Sequence, residues 1–83
     1  MNKNEAKKSI QNILDILGNL KDEVDCLRDD AQCTCDEIEP YEGRSELTEA
    51  QQERQEWFEN LANELEEFFD SLEEHQGNLE DMQ

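Results

Sequence analysis

Residues 10–38 read IQNILDILGNLKDEVDCLRDDAQCTCDEI, and their apolar positions step by three and four without a break. The series is Ile10, Ile13, Leu17, Leu20, Val24, Leu27, Ala31, Thr34 and Ile38, with only Thr34 polar. This is a heptad seam sustained over four repeats, widened in its first half by Leu14 and Ile16. It predicts one long amphipathic helix. Pro40 lacks a backbone donor and disfavours helical geometry at Glu39, so the helix should stop near Ile38. Gly18 lies inside this helix, either at a close approach of another backbone or as an incidental surface glycine.

Beyond it, Glu39-Pro40-Tyr41-Glu42-Gly43-Arg44-Ser45 has turn chemistry. Thr48 followed three residues later by Gln51 reads as a capping box, with Glu49 favourable in the first turn. A second stripe runs Leu47, Gln51, Arg54, Phe58, Leu61, Leu65, Phe68, Leu72, His75, Leu79 and Met82, broadened by Trp57, Ala62 and Phe69. The expected fold is all-α, a single domain over residues 1–83. Helix one spans about residues 3–38, a turn 39–45, and helix two about 46–80. Equal helices with a short connection form an antiparallel, coiled-coil-like hairpin.

Two helices rarely bury enough to offset chain entropy of about 1–2 kcal/mol per residue. The apolar stripes are also wider than one partner helix can cover. Self-association into a homodimeric four-helix bundle is therefore expected, through Leu17, Leu20, Val24, Leu27, Trp57, Phe58, Leu61, Leu65, Phe68, Phe69 and Leu72.

The charge is as patterned as the apolar residues. Twenty-four acids against seven Lys and Arg give a formal charge of −17 in 83 residues. Residues 1–20 carry a net +1, from Lys3, Lys7 and Lys8 against Glu5 and Asp15, and residues 21–83 a net −18. No Lys or Arg occurs from Gln55 onward, where ten acids remain. The hairpin should bring the three lysines beside the Glu73–Asp81 end, offsetting local repulsion by under about 1 kcal/mol per exposed pair. Self-repulsion on this scale opposes folding, which argues that the charge is used. Glu53, Glu56, Glu59, Glu66, Glu67, Asp70, Glu73 and Glu74 are the candidate binding residues of helix two, with Glu49 at its start. Asp36, Glu37, Glu39 and Glu42 continue the surface around the turn, followed by Glu46.

The same charge excludes a basic nucleic-acid footprint, so direct nucleic-acid binding is not expected. No stretch has the apolar length to span a membrane, and none reads as a signal segment. Cys26, Cys33 and Cys35 are too far apart on a helix, or point apart, for a disulfide, and reduced thiols fit best. Their spacing to His75 matches no established zinc pattern. Leu72-Glu73-Glu74-His75 places Leu where a di-metal bundle wants Glu, and the loop from Asp36 lacks a calcium ligand order. The expectation is a chain without cofactors and without catalysis.

The run from Asp36-Glu37-Ile38-Glu39-Pro40 through Ser45-Glu46 to Asn60-Leu61-Ala62-Asn63-Glu64-Leu65-Glu66-Glu67 and Ser71-Leu72-Glu73-Glu74 resembles small acidic helical-hairpin proteins of phages and mobile elements. In size and charge the chain is also similar to phage-encoded nucleic-acid mimics, including anti-CRISPR and anti-restriction proteins. The resemblance implies a cytoplasmic inhibitor in a bacterial host cell, acting by occupying the basic groove of a nucleic-acid-binding defence complex. The alternative is a structural coiled-coil assembly module whose acidic surface only confers solubility.

Overall fold

The computed structural model describes residues 1–83 and contains two helices and no strands, α1 (Lys3–Glu37) and α2 (Glu49–Asp81), packed on each other. The hairpin is a rod of 68 × 16 × 15 Å with a radius of gyration of 19.2 Å. A compact chain of this length would have a radius near 12 Å. The rod leaves little interior. Six side chains are buried, namely Leu14, Val24, Ala31, Cys35, Ala62 and Leu72.

Local chemistry sets the helix ends. Asn2 caps α1 by accepting from the Glu5 N–H at 2.9 Å, while the Glu5 carboxylate accepts from the Asn2 N–H. Thr48 and Gln51 form the same reciprocal pair at the start of α2, at 3.2 and 3.0 Å. Because Thr48 is extended and serves as the cap, α2 begins at Glu49 and not near residue 46. The connection consequently runs from Ile38 to Thr48, longer than the expected turn. Ile38 caps the end of α1 in extended geometry, two residues before Pro40. Within the loop, the Arg44 N–H donates to the Tyr41 carbonyl at 2.9 Å, and Gly43 sits at φ +83° in that turn. The Gln51 side-chain amide donates to the Glu39 carbonyl at 2.9 Å and ties the loop to α2.

The helix–helix seam differs from the expected one by half of its residues, in the same sense on both helices. In heptad terms, Ile10, Leu17, Val24, Ala31 and Ile38 take position d on α1. Gln51, Phe58, Leu65, Leu72 and Leu79 take it on α2. All are buried or half-buried. The a positions are Leu14, Lys21, Arg28 and Cys35 against Gln55, Ala62, Phe69 and Gln76, also buried or half-buried. The expected partners Ile13, Leu27, Arg54, Phe68, His75 and Met82 are exposed, and Leu20, Thr34 and Leu61 are half-buried at the flank.

Amphipathic side chains explain the switch. Lys21 Nζ lies 5.1 Å and the Arg28 guanidinium 5.6 Å from the centroid of the Phe69 ring. Their aliphatic stems line the seam while their heads reach its edge, so two charged residues occupy core positions without burying a charge. Lys21 also donates to the Gln76 side chain at 2.8 Å and pairs with Glu73 at 3.4 Å.

Two smaller expectations also change. Lys3, Lys7 and Lys8 pair with no carboxylate, and the cross-helix ion pair is Lys21–Glu73. At the open end the Gln83 side chain donates to the Lys7 carbonyl and to the Gln11 side chain. Long exposed side chains at helix ends gain too little from pairing to offset their lost freedom. A Cβ at Gly18 would meet nothing within 4 Å, so this glycine is incidental to packing.

Candidate functional site

The seam fixes where every remaining side chain points. In an antiparallel pair the e positions of both helices flank the seam on one side and the g positions on the other. On α1, position b, next to e, is aspartate four times in succession, at Asp15, Asp22, Asp29 and Asp36. On α2, position e is glutamate four times in succession, at Glu59, Glu66, Glu73 and Glu80. These two seven-residue ladders lie side by side on one face of the hairpin. Asp25, Glu56 and Asp70 fill gaps between their rungs.

Eleven carboxylates therefore share this face, over about 36 Å of helix at 1.5 Å per residue. That is one negative charge per 3–4 Å, near the about 3.4 Å per phosphate of a single nucleic-acid strand. Lys21 and Arg28 emerge at its inner edge, where Arg28 pairs with Asp25 and, at 3.6 Å, with Asp29. Asp25 is half-buried, and the ten other carboxylates are exposed. Water screens exposed carboxylates from each other, which lets the ladders coexist.

Of the twelve acids expected to bind a partner, Asp36, Glu56, Glu59, Glu66, Asp70 and Glu73 come together here. Glu53, Glu67 and Glu74 lie at position f, on the back of α2 away from α1. Glu37 lies on the opposite, g-side flank of α1, and Glu39 and Glu42 belong to the loop. Asp15, Asp22, Asp25, Asp29 and Glu80 complete the face and were missed by counting charge segment by segment. Their signal was the seven-residue period.

The acids also sit where helix electrostatics disfavours them. Asp36 and Glu37 end α1, Glu80 and Asp81 end α2, and neither last turn holds a basic residue. Negative charge at a helix C-terminus opposes the macrodipole.

The g-side face differs: an exposed apolar strip runs along it, with the carboxylates Glu23, Asp30, Glu37 and Glu64 at position c on its rim. Ile13 (47% exposed), Leu27 (48%) and Phe68 (46%) sit at position g, and Ile16 (64%) and Trp57 (61%) at position c beside it. Leu20 and Leu61 extend the strip. Trp57 stacks edge-to-face on Phe58 at 5.0 Å.

The concavities are shallow clefts in the loop and at the two ends of the rod. One is lined by Thr34, Glu37, Ile38, Tyr41, Gln51 and Arg54, and another by Lys3, Ala6, Lys7, Ile10 and Met82. No three His, Cys, Asp or Glu side chains converge as metal ligands. Cys26 and Cys33 are exposed on the back of α1, while Cys35 is buried with its Sγ 3.6 Å from the Gln55 carbonyl. Burial, then Glu59 and Asp36, raise the Cys35 thiol above its ordinary pKa. No helix is long and apolar enough to cross a membrane. Comparison with protein-family models, with curated proteins and with solved structures gave no match.

Proposed function

We propose that this chain is a non-catalytic inhibitor that lays its acidic face into the basic nucleic-acid-binding groove of a host defence complex, a CRISPR–Cas effector or similar. The observation that supports this reading is the pair of ladders Asp15/Asp22/Asp29/Asp36 and Glu59/Glu66/Glu73/Glu80 on one face, which together with Asp25, Glu56 and Asp70 approach the charge spacing of a nucleic-acid strand. A groove lined by Lys and Arg would attract such a rod at long range and hold it by charge complementarity. The rod then excludes nucleic acid by occupancy, with no bond made or broken. The reading includes a cytoplasmic site of action and a homodimer, a four-helix bundle in which the acidic faces remain accessible.

The exposed apolar face favours a second reading, an assembly module that works by oligomerisation. The two separate on one experiment. The chain is immobilised, loaded with host lysate, and eluted by increasing salt or by added single-stranded and duplex nucleic acid. The inhibitor reading expects retained nucleic-acid-binding proteins that either polyanion releases at physiological salt. Retention that survives high salt and ignores nucleic acid would refute it and favour the assembly module.

A further inference from the structure

The apolar face opposite the ladders lies open on a single hairpin. Ile13, Leu20, Leu27, Trp57, Leu61 and Phe68 make a strip in which α1 supplies the half nearer the open end and α2 the half nearer the loop. Apolar residues at g beside a largely apolar d row suit a helix packed in a bundle, not a helix in a two-stranded coil. We propose that a second copy of this chain covers this face, pairing the hairpins strip to strip with the acidic ladders turned outward on both sides. The inference rests on the homodimer of the preceding reading and specifies its interface and the direction of its binding faces.

Three observations select a second copy as the occupant. With six buried side chains, the hairpin needs its cover whenever it is folded, and a second copy is the one partner always present. The area also fits. Ile13, Ile16, Leu27, Trp57 and Phe68, at 46–64% exposure, present about 500 Å² of apolar surface if each fully exposed residue counts about 150–250 Å². A standard interface buries about 800 Å² per partner, of which about 57% is apolar, or about 450 Å². The third observation is electrostatic. Two chains of −17 each keep their ladders apart when they approach through the apolar strip, whose neighbouring carboxylates Glu23, Asp30, Glu37 and Glu64 sit at its rim, where water screens them. The resulting particle carries two ladder faces and can engage two basic grooves.

Sedimentation equilibrium of the full chain, combined with acrylamide quenching of its single tryptophan, tests this directly. As concentration rises, the mass should double from 9.8 kDa and the quenching of Trp57 should fall severalfold over the same range. Salt should tighten the association by screening repulsion, the reverse of its effect on a basic target. Phe68→Glu should hold the mass at that of one chain, whereas Glu67→Lys, on the back of α2, should leave doubling intact. Because the wild-type quenching needs no variant, misfolding of Phe68→Glu would not decide the question. A helical chain that stays at 9.8 kDa overturns the proposal, as does a doubled mass with Trp57 still fully quenchable, or an assembly of three or more chains. Ladder reversal that spares target capture while the dimer persists would instead overturn the inhibitor reading alone.

Discussion

Lys21 is the residue on which the observed seam turns, and its replacement gives a quantitative test of the fold. Its side chain is 19% exposed, donates to Gln76 at 2.8 Å and lies 5.1 Å from the Phe69 centroid. Most of three methylenes leave water, contributing about 2 kcal/mol at about 0.8 kcal/mol each. The part-buried hydrogen bond adds about 1 kcal/mol and the cation–π contact about 0.5–1 kcal/mol. The Glu73 partner is 54% exposed, so screening reduces that pair to a few tenths of a kcal/mol, about 0.3. Lys21→Ala should therefore cost about 4 kcal/mol and lower Tm by more than about 16 °C in a chain of this size. Lys21→Met keeps the stem and loses only the polar part, a cost of about 2 kcal/mol and roughly 8–16 °C. Thermal melts followed by helical circular dichroism, at one matched protein concentration, measure both. If Lys21→Met melts as low as Lys21→Ala, or if Lys21→Ala melts with the wild type, Lys21 is not a seam residue and the pairing described is wrong.

Other residues give shorter tests by the same melts or by thiol chemistry. Gly43→Ala forces a Cβ into left-handed geometry at φ +83° and should destabilise by about 1–2 kcal/mol. Thr48→Ala removes the cap of α2 and should cost about 1 kcal/mol, with Thr48→Ser retaining most of the stability. Leu72→Ala, at a buried seam position, should cost about 2–5 kcal/mol. Cys26 and Cys33 should be alkylated quickly by iodoacetamide and Cys35 only on unfolding, read by mass spectrometry with time. The raised Cys35 pKa also has a sign. Its contribution to stability is full below the ordinary value of 9.0 and is lost as pH rises through the higher folded-state value, so Cys35→Ala should flatten that alkaline loss.

The two helices, the stop before Pro40 and the Thr48–Gln51 cap could be read directly from the sequence, because each is a local feature with a local cause. The seam could not. Residues 10, 17, 24, 31 and 38 belong to every version of the stripe, and the choice lies between Ile13/Leu20/Leu27 and Leu14/Lys21/Arg28 as their companions. Counting apolar residues favours the first set. The structure uses the second, because the stems of Lys21 and Arg28 lie along Phe69, a cross-helix contact that no single-helix pattern contains. The acidic face was obscured for a related reason. Asp15, Asp22, Asp29 and Asp36 lie in a helix whose first twenty residues are nearly neutral, so a tally by segment passes over a ladder that a seven-residue period exposes. Once the seam is known, the two ladders fall on one side and the leftover apolar residues on the other.

In the function proposed above, it is this particular face, and not acidity in general, that would bind the partner. Two triple variants of equal charge change separate these directly, Glu59→Lys/Glu66→Lys/Glu73→Lys on the ladder and Glu53→Lys/Glu67→Lys/Glu74→Lys on the back of α2. Their affinity for a captured basic-groove protein is measured in competition with its nucleic acid at physiological salt. The ladder variant should lose competition and the outer variant should keep most of it, with both still helical. Equal loss in the two, or loss only in the outer variant, would contradict the account.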